Sequence, residues 1–131
     1  MFYVFAIATP ANTPATAKVK TTLQLARGRV TGMQVHFPSG HIGLTHIQLA
    51  RGLHQFYPTI PEANFSSSGE AIVWAEDFLL DFEPYELEAY TWNTDDTYDH
   101  TITVRVEMEA LKEEIDLLAE IESLFTAQEA V

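Results

Sequence analysis

Five histidines are the residues most able to do chemistry in this chain: His36, His41, His46, His54 and His100. The first four are spaced at five, five and eight, and no acid stands anywhere among them. A His-x-His pair closely followed by Glu, one compact way of building a metal site, is absent. A zinc or iron site could therefore arise here only by long-range convergence. Exposed strand or interface histidines are the default expectation.

A second cluster is Asn93-Thr-Asp-Asp-Thr-Tyr-Asp99, with several oxygen-bearing side chains in seven residues. Hard cations want carboxylate and amide oxygens on flexible backbone, but the Gly and closing Glu of an EF-hand are missing. Asn and Asp also populate such loops simply because they favour turns. Glu76, Asp77, Asp81, Glu83, Glu86 and Glu88 could supply a hydrolytic carboxylate pair, yet nothing marks two of them as buried and facing. Ser66-Ser67-Ser68 has no nucleophile-elbow context, and no phosphate loop or dinucleotide fingerprint appears. Cysteine is absent, which excludes thiol chemistry and a disulfide framework. No metal or cofactor is expected, and no catalytic residue.

The aromatic residues are more suggestive. Trp74, Trp92 and Tyr98 fall near strand ends or loops, where they could stack sugar rings or anchor a protein interface.

Charge is distributed unevenly. Residues 1–61 contain no acid and five basic residues, Lys18, Lys20, Arg27, Arg29 and Arg51. Residues 62–106 carry a net −10 and residues 107–131 a net −7, for −12 overall. This polarity predicts that early strands meet acidic late segments, within the fold or across a subunit boundary. The overall charge argues against nucleic acid and against an anionic membrane as partners.

At 131 residues with 47% hydrophobic content, the chain suits one domain with a real core. Phe2 to Thr9 is a compact apolar run ended by Pro10, too short and unflanked by basic residues to be a signal peptide. It is expected to be a strand or an exchanged arm, with Ala11 to Ala17 as its hinge. Short apolar segments then follow between Gly, Pro or Asn/Asp clusters: 19–26, 29–37, 43–50, 53–57, 71–74, 78–82, 85–92 and 100–108. Met33, Val35 and Phe37 should share one face, and Ile102, Val104, Val106 and Met108 another. Leu23-Gln-Leu-Ala-Arg-Gly28 recurs almost unchanged as Ile47-Gln-Leu-Ala-Arg-Gly52. Two similar strand exits, each with a Gly suited to positive φ, account for the repeat.

From Glu107 to Gln128 there is no Gly or Pro, and Glu, Leu, Ala and Lys dominate, which predicts a helix. Met108, Leu111, Ile115, Leu118 and Phe125 make one apolar stripe, with Leu117, Ile121 and Leu124 beside it. The expected organisation is an N-terminal arm and hinge (1–17), a β-sandwich or jelly roll of about eight antiparallel strands (18–106), and a C-terminal helix (107–131).

Residues 28–106 resemble the small jelly-roll virion proteins of tailed bacteriophages and related viruses. The resemblance rests on Val35-His-Phe-Pro-Ser-Gly40, Gly43-Leu44, Pro58 after Gln55-Phe56-Tyr57, Pro84 leading into Tyr85 to Asn93, and His100-Thr-Ile-Thr-Val104. It implies a non-enzymatic structural subunit, located in the virion, that decorates or stabilises a capsid or tail. The implied partners are copies of the chain itself, a trimer foremost, and other virion proteins such as the major capsid protein. Phe2, Val4, Phe5, Ile7, Leu111, Ile115, Leu118, Ile121 and Phe125 are the expected interface residues. A carbohydrate-binding or adhesin module built on Trp74, Trp92 and Tyr98 is the alternative. A cupin-like metalloenzyme on His36, His41 and His46 is a third possibility.

Overall fold

The computed structural model describes residues 1–37, 43–52, 54–58, 66, 69–111, 120–122 and 124. Eight strands run in chain order: β1 Phe2–Thr9, β2 Val19–Gln24, β3 Gly28–His36, β4 Thr45–Arg51, β5 His54–Tyr57, β6 Ala71–Leu80, β7 Glu86–Asn93 and β8 His100–Glu109. They form two antiparallel four-stranded sheets, one ordered β1-β8-β3-β6 and the other β2-β7-β4-β5. That pairing of first with last and second with second-to-last strand is the double Greek key of a jelly roll. A short helical stretch containing Glu120–Glu122 and Leu124 follows near the C-terminus.

Alternation places the core between the sheets. Ile7, Val30, Met33, Val35, Ile102, Val104, Val106 and Met108 point inward from the first sheet, and Leu23, Ile47, Leu49, Leu87 and Ala89 from the second. Each Val, Leu, Ile or Met side chain among them contributes roughly 1.5–3 kcal/mol on removal from water, before the entropy of ordering is subtracted. β8 is the cleanest case, with Thr101, Arg105, Glu107 and Glu109 exposed between its buried residues.

The topology also explains the uneven charge. Wrapping the chain as a jelly roll seats early β1 and β3 beside late β8 and β6, and early β2 and β4 beside late β7. Segregation along the sequence thus becomes alternation across the first sheet and across β2, β7 and β4 of the second. Arg29 on β3 hydrogen-bonds Asp77 on β6, and Gln24 on β2 donates to Glu86 on β7 at 2.6 Å. At this exposure such pairs fix register more than they add stability.

Four expectations change. The run 2–9 is not an exchanged arm: all eight residues pair in register with β8 of the same chain. Ala11 to Ala17 is accordingly a crossover between the sheets, with a 3₁₀ turn at Ala15–Ala17 and Thr13 bridged to Asn93. The segments 71–74 and 78–82 are one strand, β6, because a bulge opposite Thr31 absorbs Glu76 and Asp77 without ending the ladder. β8 extends to Glu109, so residues 107–109 are strand rather than helix and Met108 belongs to the sandwich core. The high helix propensity of Glu and Met is overridden there by ladder pairing with β3 and β1. The two Ala-Arg-Gly exits also diverge: Gly52 has φ +60°, as a turn requires, whereas a Cβ on Gly28 would lie 2.5 Å from the Glu109 carbonyl oxygen. Close strand approach, not a left-handed turn, requires the glycine at 28.

Candidate functional site

The residues singled out by type are scattered over the sandwich. His36 lies at the exposed end of β3, His46 on the outer face of the other sheet, His54 is exposed on β5, and His100 starts β8. A cupin-like site on His36, His41 and His46 would need these side chains in the interior. His36 and His46 instead face outward from opposite sheets, and His41 lies outside the described residues. Among the described residues no group of three or more metal-ligating side chains converges. The carboxylates are engaged separately: Glu76 accepts from Trp74 Nε1 at 2.7 Å, and Glu88 from the Gly52 N–H at 2.9 Å.

The proposed sugar platform is also dispersed. Trp74 is stacked on Tyr57 at 3.6 Å between centroids and packs against the core, closing the gap between the edges of β6 and β5. Phe56 and Phe78 meet beside them at 5.3 Å. Burial first, and the Glu76 carboxylate second, raise the Tyr57 hydroxyl above its ordinary pKa. Trp92 is 5% exposed on the outer face of the second sheet, with the Lys18 ammonium 5.0 Å from its ring centre and His46 stacked at 5.1 Å. Tyr98 alone is freely exposed, in the β7–β8 loop. The three rings serve three different regions, a consequence of topology that spacing does not encode.

The Asn93–Asp99 loop is occupied by its own backbone. Asp95 accepts from the Thr97 and Tyr98 N–H groups, and its Oδ2 lies 2.8 Å from His100 Nε2. Asp99 accepts from the Ala11 N–H at 2.8 Å, and the Asn12 side chain donates to the Asp96 carbonyl. These oxygens staple the β1–β2 and β7–β8 loops together, as Asx turns do. The hydrogen bond with His100, reinforced by the Thr97 N–H, holds the Asp95 carboxyl below its ordinary pKa of 3.8. A folded-state pKa below the unfolded value stabilises above the latter, and the contribution fades as pH falls through the former. Asp95→Asn should therefore lower the melting temperature at neutral pH, and the gap to wild type should close in thermal scans run below pH 3.8.

The first sheet presents a different kind of surface. Outward from β1 stand Phe2 and Val4, 69% and 59% exposed, while Val73 on β6 is 69% exposed. Pairing lines up Val4, Arg105, Gln34 and Val73 across the four strands, and Phe2, Glu107, Gly32 and Ala75 in the next row. The missing side chain at Gly32 leaves a depression of about 370 Å³ in this face. Of the expected interface residues, Phe2 and Val4 are thus displayed. Phe5 and Ile7 are corrected: strand alternation turns them inward, and Ile7 is 3% exposed within the core. Leu111 is also buried, at 8% exposure, whereas Ile121 is 41% exposed; Ile115, Leu118 and Phe125 lie outside the described residues.

Among the described residues, the outer edges of the two sheets differ in how they are protected. β2 carries Lys20, β5 is four residues long, and β6 is bulged and bears Glu76 and Asp77. Such charges, shortness and bulges are what normally prevent edge-to-edge pairing. β1 has none of them: eight residues, no charged side chain, no proline, no register shift against β8. The sequence signal for this was the apolar run itself; that it forms an outer edge was not readable.

Compared with known protein families and with curated proteins, the chain matches none.

Proposed function

We propose that this protein is a non-enzymatic structural subunit that assembles with copies of itself, a trimer foremost, to decorate or stabilise a virus or phage particle. The unprotected β1 edge carries the proposal. A long, neutral, apolar edge is an aggregation liability unless something covers it. In a chain of net charge −12, a neutral strand is also where two copies can approach with least repulsion. Phe2 and Val4 add exposed apolar side chains beside that edge, on the outer face of the same sheet. Each copy's edge and face are covered by its neighbour. Jelly rolls of this topology are a recurrent material of capsids, and the resemblance of residues 28–106 to phage virion proteins supports that setting.

The charge split adds nothing to this proposal, since strand interleaving already uses it within one chain. Sedimentation velocity at micromolar concentration tests the assembly. Wild type should sediment as an oligomer. Val4→Lys places a charge on an already exposed position, so it should weaken association at least about tenfold while changing stability by no more than about 0.5 kcal/mol. A wild-type protein that stays monomeric would remove the proposal.

A further inference from the structure

The outer side of β1 can be resolved group by group. The Met1 amino group donates to the Met108 carbonyl at 2.9 Å, and the Met108 N–H donates to the Met1 carbonyl at 2.8 Å. Met1 and Met108 are thus a hydrogen-bonded pair, and in an antiparallel ladder such pairs recur at every second residue. The register with β8 is unbroken, so Tyr3, Phe5, Ile7 and Thr9 also direct their backbone groups at β8. Phe2, Val4, Ala6 and Ala8 direct theirs the other way, where none of the described strands pairs with them. These residues also stand exposed on the outer face, while Tyr3 and Phe5 are half-buried against the core. The exposed row runs from large to small: Phe2 and Val4, then Ala6 and Ala8.

We infer that β1 pairs antiparallel with β1 of a second copy, setting Phe2 opposite Ala8, Val4 opposite Ala6, and Phe5 opposite Phe5. This rests on the reading that the chain assembles with itself, and it assigns one contact of that assembly. Only this register satisfies every outward N–H and C=O of Phe2, Val4, Ala6 and Ala8. A shift of two residues leaves Phe2 or Ala8 unpaired, and a shift of one sets them against residues already bonded to β8. Any extended segment could satisfy the backbone, but the side chains favour a second β1. Each large residue of the exposed row then meets a small one, so the two rows fill each other. On the inner side Tyr3 meets Ile7, and the two Phe5 rings meet at the two-fold axis, covering aromatic surface that one chain leaves half-exposed. β1 brings no charge to the contact, which matters for copies that each carry −12. The first sheets of both copies become one, β6-β3-β8-β1 running on into β1-β8-β3-β6. Such a contact is isologous and closes on two copies, so a trimer uses a further contact elsewhere on the sandwich.

The test uses the full-length chain at micromolar concentration. Because the chain has no cysteine, Phe5→Cys introduces a single thiol facing its own copy. Cα atoms in such a non-hydrogen-bonded pair lie about 4.5 Å apart, within disulfide reach, so diamide should crosslink the variant into a dimer. Should Phe5→Cys fail to fold, a mixture of Val4→Cys and Ala6→Cys chains, both changed at exposed positions, should crosslink 4 to 6. Thr101→Cys, exposed on β8 away from the edge, should stay uncrosslinked. Ala6→Pro removes an outward N–H and leaves the bonds to β8 in place, so it should weaken association at least about tenfold in sedimentation velocity. A monomeric wild type overturns both the self-assembly reading and this pairing. An oligomeric wild type overturns the pairing alone if neither cysteine set crosslinks, if Thr101→Cys crosslinks as readily, or if Ala6→Pro associates at full strength.

Discussion

Phe37→Ala is expected to lower the free energy of unfolding by about 3–5 kcal/mol, the cost of truncating a buried aromatic. Phe37 has no accessible surface and is among the largest side chains fully enclosed in the core. It follows β3 directly, and its N–H donates to the Glu70 carbonyl at 2.9 Å, so the backbone cannot drift inward to fill the space. The surrounding Val35, Val104 and other core residues belong to two sheets whose spacing is fixed by their own ladders. A cavity left there persists, and the lost transfer energy and the lost packing add. Urea denaturation of the variant beside His36→Ala provides the contrast. His36 is exposed on the adjacent position, and its removal should change stability by no more than about 0.5 kcal/mol. A loss below about 1 kcal/mol for Phe37→Ala would mean that the two sheets close over the site more readily than their hydrogen bonding indicates.

The second large effect is expected at Asn93, the last residue of β7. Its side chain is fully buried and joins three segments: Nδ2 donates to the Thr9 carbonyl at 3.2 Å and to the Tyr98 carbonyl at 2.9 Å, while Oδ1 accepts from the Asp95 N–H at 3.0 Å. Thr9 ends β1 in one sheet and Asn93 ends β7 in the other, so this amide ties the two layers together. Beside it, the buried hydroxyls of Thr9 and Thr91 share a hydrogen bond of 2.8 Å. Asn93→Ala strips the partners from two carbonyls and an N–H where water has poor access. At about 1–3 kcal/mol for each polar group left buried and unmade, partly relieved by relaxation of the loop, a total of about 2–4 kcal/mol is expected. Hydrogen exchange should also quicken at Thr13, whose N–H bonds the Asn93 carbonyl. The double change Thr9→Val with Thr91→Val should be far milder, because both partners leave together. An Asn93→Ala protein as stable as wild type would show that this end of the sandwich is held by the β1–β8 ladder alone.

These predictions show how unevenly function could be read ahead of structure. The inward residues of β3 and β8 were legible because a half-buried strand repeats every two residues and carries its own record of which side faces the core. Turn positions were legible where chemistry is local, as with the positive φ of Gly52. The candidate sites were not. That β1 is an outer edge follows from sheet order, and nothing within residues 2–9 announces it. Trp74 and Trp92 attracted notice as tryptophans, yet one closes a sandwich edge and the other supports a lysine.

By itself, then, the order of residues determined the material: short amphipathic strands, a chain without thiols, basic residues early and acidic ones late, an apolar beginning. Those are properties of single segments, set by side-chain hydrophobicity and backbone preference over a few positions. Tertiary structure decided what each segment meets. It interleaved the two oppositely charged halves, gave β1 a partner on one side, and turned Phe5 and Ile7 inward beneath Phe2 and Val4. Those outcomes depend on long-range pairing, whose energy is shared among many weak contacts far apart in the chain, and no short stretch of sequence contains them.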